Sequence, residues 1–176
     1  MPKGPFLPTE FVPTKFSSAQ DKADFGNTFL HFIESEWART AFSKSFYNRL
    51  SMCFGNIAHC DLATFYGTWF TSDANRLRFL RHTLAWPCWG DPEYTFCDVE
   101  RAIKQEIRKR NYLARYELRA AEAVRSGEME TLKRLEAKYR TVANRQQDEG
   151  PDCSASSSPA PEVAESTWLP VQASLF

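Results

Sequence analysis

From Asp24 onward, large apolar residues recur every three or four positions. Phe29, Phe32, Ile33 and Trp37 follow the spacing of one helix face. A second stripe runs Phe42, Phe46, Leu50, Cys53, Phe54 and Ile57. Gly55 weakens that helix by roughly 1 kcal/mol relative to Ala and is expected at its end or at a close contact. Asp61 is placed to cap a third stripe, Leu62, Phe65, Tyr66, Trp69 and Phe70. Ser72 and Asp73 then read as the start of a fourth, with Leu77, Leu80 and Leu84. Pro87, Gly90 and Pro92 interrupt the period, so 86–96 is expected to be a loop carrying Trp86, Trp89, Tyr94 and Phe96.

Asp98 reads as the cap of a long helix reaching about Arg125, with Val99, Ile103, Ile107, Leu113 and Leu118 as its apolar positions. Ser126-Gly127 is expected to stop it, and Met129, Leu132, Leu135 and Tyr139 to form a short final helix. No segment alternates as a strand would, and no internal repeat is present. The expectation is an all-α fold: a compact, aromatic-rich helical bundle, then a long basic helix or helical hairpin, then a disordered tail.

The flanks differ in composition. Residues 1–23 hold four prolines and no helical period, so they read as an extended arm. Phe6, Phe11 and Phe16, five residues apart, are expected to pack separately onto the bundle. The helical core is placed at 24–98, the basic arm or hairpin at 99–147, and an acidic linker at 148–171. That linker has too little apolar surface before Trp168 to offset its chain entropy. Residues 172–176 stand apart as a short peptide.

At 43% hydrophobic and 14% aromatic, the chain can bury a core. Its 22 basic and 22 acidic residues cancel, which removes any global argument for nucleic acid or a membrane surface. The local distribution is uneven. Val99–Gln147 carries 13 Lys and Arg against 7 Asp and Glu, whereas Asp148–Phe176 has five acids and no base. No window reaches the roughly 18 apolar residues of a membrane span. No apolar leader follows Met1, and five irregularly spaced cysteines fit free thiols in a reducing cytoplasm.

The C-terminal peptide carries the most specific signal. A few anchors in an apolar cleft can supply most of a binding energy, and a tether raises their effective concentration. Gln172-Ala173-Ser174-Leu175-Phe176 resembles the pentapeptide by which bacterial replication and repair proteins bind the DNA sliding clamp. That motif runs Gln, a variable residue, Ser or Asp, Leu, Phe. The resemblance implies that Gln172 enters a polar subsite, Ser174 shapes the backbone, and Leu175 and Phe176 fill an apolar cleft. It implies a non-enzymatic adaptor or inhibitor acting in DNA replication, repair or mobile-element maintenance, nucleoid-associated when clamp-bound. It covers five residues and leaves the bundle unassigned.

A different class of function rests on the basic run. Lys104, Arg108, Lys109, Arg110, Arg115 and Arg119 on one helix face would contact phosphates, with Tyr112 and Tyr116 to stack on bases. Glu100, Glu106, Glu117 and Glu122 lie at pairing distance along the same helix and favour a solvated, salt-bridged surface instead.

Catalytic and metal signals are weaker. Cys53, His59 and Cys60, with Cys88 and Cys97 further on, match no standard zinc spacing, and no metal or cofactor is expected. His31, His59 and His82 lack a nucleophile motif beside them. Glu34 and Glu36 near Trp37, and Asp61 beside His59, are read as surface or core positions, and no enzymatic activity is expected. Trp69, Trp86 and Trp89 are candidates to line a ligand pocket, but aromatic density of this kind is read as core packing.

Overall fold

The computed structural model describes residues 4–54 and 61–148, with side chains as far as residue 140. Among these residues the fold is all-α, with six α-helices and no strand: α1 Ala19–Glu34, α2 Lys44–Phe54, α3 Leu62–Phe70, α4 Asp73–Ala85, α5 Cys97–Lys109 and α6 Tyr112–Asp148. Short 3-10 turns lie at Pro8–Glu10 and Arg39–Ala41. The chain divides into two units, Met1–Leu132 and Lys133–Phe176. The first holds α1–α5 and the opening of α6. The described part of the second is the remainder of α6.

Local signals start the helices. Ser18 accepts the Asp21 N–H, and the Asp21 carboxylate accepts the Ser18 N–H at 2.8 Å, a reciprocal cap for α1. Asp61 accepts the N–H groups of Ala63 and Thr64 to open α3, and Ser72 accepts that of Asn75 to open α4. Asp98 departs from its expected role. Phe96 is the N-cap of α5, and Asp98 lies inside the first turn with its carboxylate turned to Lys22 and to the Val12 N–H.

The core is a network of rings. Phe70 sits at its middle, 4.9 Å from both Phe32 and Phe79 in edge-to-face geometry and stacked on Trp37 at 5.0 Å. Phe25, Phe29, Phe42, Phe46, Phe54, Phe65 and Phe96 pack around these rings. Such pairs add roughly 0.5–1.5 kcal/mol each beyond the area they bury. The helix stripes read from the sequence supply most of these side chains; Trp37 and Phe42 come from the turns after α1 and before α2, and Phe79 from α4.

Two boundaries differ from expectation. Helix α1 begins at Ala19, inside the stretch read as an extended arm. The N-terminal segment before it is strapped down: Asn27 exchanges hydrogen bonds of 3.0 Å with the Phe6 N–H and carbonyl, and Gly26 leaves room for the Phe6 ring, which would lie 2.6 Å from a Cβ there. Phe6 and Phe11 are buried as expected, whereas Phe16 is exposed. Helix α5 belongs to the core, with Val99, Ile103 and Ile107 fully buried against the body that includes α1.

The expected long helix breaks early and then continues late. The chain turns at Arg110-Asn111, where Asn111 takes a φ of 53°. Asn tolerates the left-handed region better than most L-residues, which makes it a suitable joint. Helix α6 then continues without a break past Ser126-Gly127 to Asp148. A glycine costs a helix only about 1 kcal/mol relative to Ala, and the strong helix formers on either side outweigh it. The linker and peptide expected at 148–176 lie outside the described residues from 149 onward, Gln172, Ser174, Leu175 and Phe176 included, as do Gly55, Ile57, His59 and Cys60.

Candidate functional site

Two places gather polar or exposed aromatic groups around the body. The first is the joint between α1, α5 and α6. Helix α1 ends in two consecutive left-handed residues, Glu36 (φ 55°) and Trp37 (φ 59°). Each such residue costs roughly 1–2 kcal/mol. The turn is held by the Trp37 N–H returning to the Phe32 carbonyl at 2.9 Å, and by the burial of the indole. The same turn throws the Glu36 carboxylate toward α6.

That carboxylate accepts from Arg119 at 2.6 Å, and Arg119 reaches on to Asp73 at 3.0 Å. Arg110 pairs with Glu34 and with Glu106, the latter at 2.8 Å. The Tyr112 hydroxyl donates to Glu34 at 3.1 Å. Arg115 lies over the rings of Tyr112 and Tyr116 at 4.9 and 5.2 Å. Burial, reinforced by the Glu34 charge, raises the Tyr112 hydroxyl pKa, and burial likewise raises that of Tyr116. Burial opposes the ionisation of Glu106, but Lys109 and Arg110 together hold its carboxyl below the ordinary value. The joint is charge-compensated. Glu34 and Glu36 serve it as counterions.

The six basic residues singled out in the sequence therefore do not form one face. Lys104 is buried, with its ammonium on the Trp86 carbonyl and 2.8 Å from the Cys88 sulfur. Arg110 and Arg119 are tied to Glu34, Glu36 and Asp73. Lys109 pairs with Glu106 at 3.1 Å but stays exposed, as do Arg108 and Arg115. The turn at Asn111 separates the α5 members from the α6 members, which is why a single-helix reading overestimated the patch. Tyr112 and Tyr116, expected to stack on bases, are buried.

The second place is a cleft of about 480 Å³ lined by Phe16, Met52, Cys53, Trp89, Tyr94 and Glu100, among others. Phe16, Trp89 and Tyr94 are 89%, 76% and 77% exposed, so Trp89 is a rim residue and the core reading of it is corrected. Cys88 and Lys104 stand next to Glu100 behind this wall. Burial pushes the Glu100 carboxyl above its ordinary value, against the pull of Cys88 and Lys104. Burial also raises the Cys88 thiol despite the adjacent Lys104, and raises the Cys53 thiol far more. Both shifts disfavour the thiolate that attacks or binds metal; Cys53 lies in the apolar core, whereas Cys88 sits beside the Lys104 ammonium and Glu100. No group of three His, Cys, Asp or Glu side chains suited to a metal is present among the described residues. His82 packs between Trp69 and Trp86, and no described helix is long and apolar enough to cross a membrane.

The sequence pointed to neither place as built. The loop aromatics were visible, but which of them face outward depends on how 86–96 folds over α2 and α5. No protein-family model, curated protein or solved structure matches the chain.

Proposed function

We propose that this protein is a non-enzymatic adaptor or inhibitor that docks on the bacterial DNA sliding clamp through Gln172–Phe176 and works in DNA replication, repair or mobile-element maintenance. The single observation behind the reading is the pentapeptide Gln172-Ala173-Ser174-Leu175-Phe176, which agrees with the clamp-binding pattern at all four specified positions. The composition of 148–171, acidic and poor in large apolar residues, is that of a tether and supports the same reading. A clamp cleft holds one such peptide at a time, so a strong binder also competes with others.

The test is titration of purified clamp with the full-length chain and with Leu175→Ala/Phe176→Ala. Binding at micromolar concentration that vanishes in the double variant, with unchanged helical circular dichroism, supports the proposal. Absence of binding by the full chain overturns it, as does binding that survives the double substitution.

The second reading is nucleic-acid binding through residues 104–119. Exposure of Arg108, Lys109 and Arg115 favours it. Burial of Lys104 and the ion pairs of Arg110 and Arg119 count against it, because few cations are left for phosphates. With three contacts the affinity falls with salt at a log–log slope of about −2 to −3. Loss of that dependence in Arg108→Ala/Lys109→Ala/Arg115→Ala would support this reading. Salt-insensitive or absent binding would reject it.

A further inference from the structure

Over Tyr112–Ala120 helix α6 has a face packed on the body and a face left open, and from Ala121 to Arg140 every side chain is exposed, Val124 and Met129 included. Written in heptads, its positions a and d are Ala114, Leu118, Ala121, Arg125, Glu128, Leu132, Leu135 and Tyr139. The side chains through which it packs on the body, Tyr112, Leu113, Tyr116 and Ala120, fall at b, c and f, on the opposite side. Arg119, which reaches Glu36 and Asp73, is also at b. The a/d face is thereby turned away from the body where α6 joins it. Leu118, Leu132, Leu135 and Tyr139 are 63%, 49%, 42% and 65% exposed, and Ala114 and Ala121 are exposed as well. A run of apolar residues at heptad spacing along an exposed helix is the pattern of a helix that pairs with another.

We infer that α6 pairs antiparallel with α6 of a second copy of this chain. The charges select the partner and the direction. In a parallel pair Arg125 would face Arg125 and Glu128 would face Glu128 in the middle of the seam, a like-charge clash in a partly desolvated layer. An antiparallel pair with its two-fold axis between Ser126 and Gly127 brings Arg125 of each copy level with Glu128 of the other. The same register sets Leu118 against Leu135, Ala121 against Leu132 and Ala114 against Tyr139, each twice by symmetry. At the flanking positions it brings Glu117, which within the chain pairs with Arg81 at 2.9 Å, to Lys138, and Arg115, 4.0 Å from Glu36, to Glu136. One register thus satisfies every a/d layer from Ala114 to Tyr139 and both outer charge pairs. Large residues meet small ones in two layers, which suits close helix approach. Ser126 and Gly127 fall on the outside, where a Cβ on Gly127 would touch nothing.

The test is sedimentation equilibrium of the full-length chain over a range reaching tens of micromolar. The expected mass is twice the 20.2 kDa of one chain. Leu132→Glu/Leu135→Glu is expected to weaken the dimer roughly 100-fold or more while the near-ultraviolet dichroism of the buried Trp37 cluster stays unchanged. Arg125→Glu is expected to dissociate it, and adding Glu128→Arg to restore it, which no loss of folding could mimic. Direction is read by oxidation: a mixture of Leu118→Cys and Leu135→Cys chains cross-links between those two positions, mapped by mass spectrometry. A single-chain mass throughout the range overturns the inference, even if α6 then captures a helix of another protein. Cross-linking of Leu118→Cys to itself overturns the antiparallel register.

Discussion

The indole N–H of Trp37 donates to the hydroxyl of Tyr116 at 2.6 Å, across 79 residues of chain, with both side chains fully buried. This bond joins the left-handed end of α1 to the second turn of α6. It gives the indole its partner in a core otherwise made of hydrocarbon rings. Tyr116→Phe keeps the shape and removes the acceptor, leaving a buried N–H without one. The expected cost is about 1–3 kcal/mol in denaturant unfolding. A change below a few tenths would mean that the bond contributes nothing net.

Lys22 is a second buried anchor. Its ammonium is 2.9 Å from Asp98 and 2.8 Å from the Pro92 carbonyl, and Asp98 also accepts the Val12 N–H. One charge pair therefore holds α1, α5, the 86–96 loop and the N-terminal segment together. Lys22→Met strands the Asp98 carboxylate and is expected to cost about 3 kcal/mol or more. In Lys22→Met/Asp98→Asn the loss should be clearly smaller than the sum of the two single losses. Strict additivity would show the two side chains to be uncoupled.

Glu100 should reveal itself through pH. Burial raises its carboxyl above the ordinary value near 4.5, so the folded chain holds this proton more tightly than the unfolded one. Stability from this group is complete below that ordinary value and falls as pH rises through the folded one. Glu100→Gln removes the dependence. The variant's melting temperature relative to the wild type should be higher at about pH 8 than at about pH 4. An equal difference at both pH values would contradict the argument.

Gly127 sits inside α6 with open space around it. Gly127→Ala is expected to stabilise the helix by about 0.5–1 kcal/mol, read as higher helical dichroism on heating or slower amide exchange across 120–134. Loss of helicity would mean that the glycine is needed for something other than space.

The stripes were legible over Phe29–Ile33, Phe46–Phe54 and Leu62–Phe70 because a packed helix must repeat its apolar positions at the helical period, whereas Trp37 and Phe42 reach the core from outside α1 and α2. The caps at Asp61 and Ser72 were legible because they act over three residues. Asp98 was not, since its carboxylate answers to Lys22, 76 positions away. The joint at Asn111 was missed for a similar reason: one polar residue gives little local sign of a turn that the packing of α5 and of Tyr112 imposes. Gly127 is the opposite case: its local penalty is too weak to stop a helix flanked by strong helix formers. For the basic run, the residue types were visible and their partners were not.

The sequence by itself determined the helical character of the body, the aromatic make-up of its core and the identity of the terminal pentapeptide. These are properties of spacing and composition, carried by neighbours along the chain. Only the tertiary structure decided that Lys104 is buried, that Arg110 and Arg119 answer Glu34, Glu36 and Asp73, and that the a/d face of α6 is left outside. Burial and ion pairing depend on which distant residues arrive at the same place, and that is set when the helices close around Phe70 and Trp37.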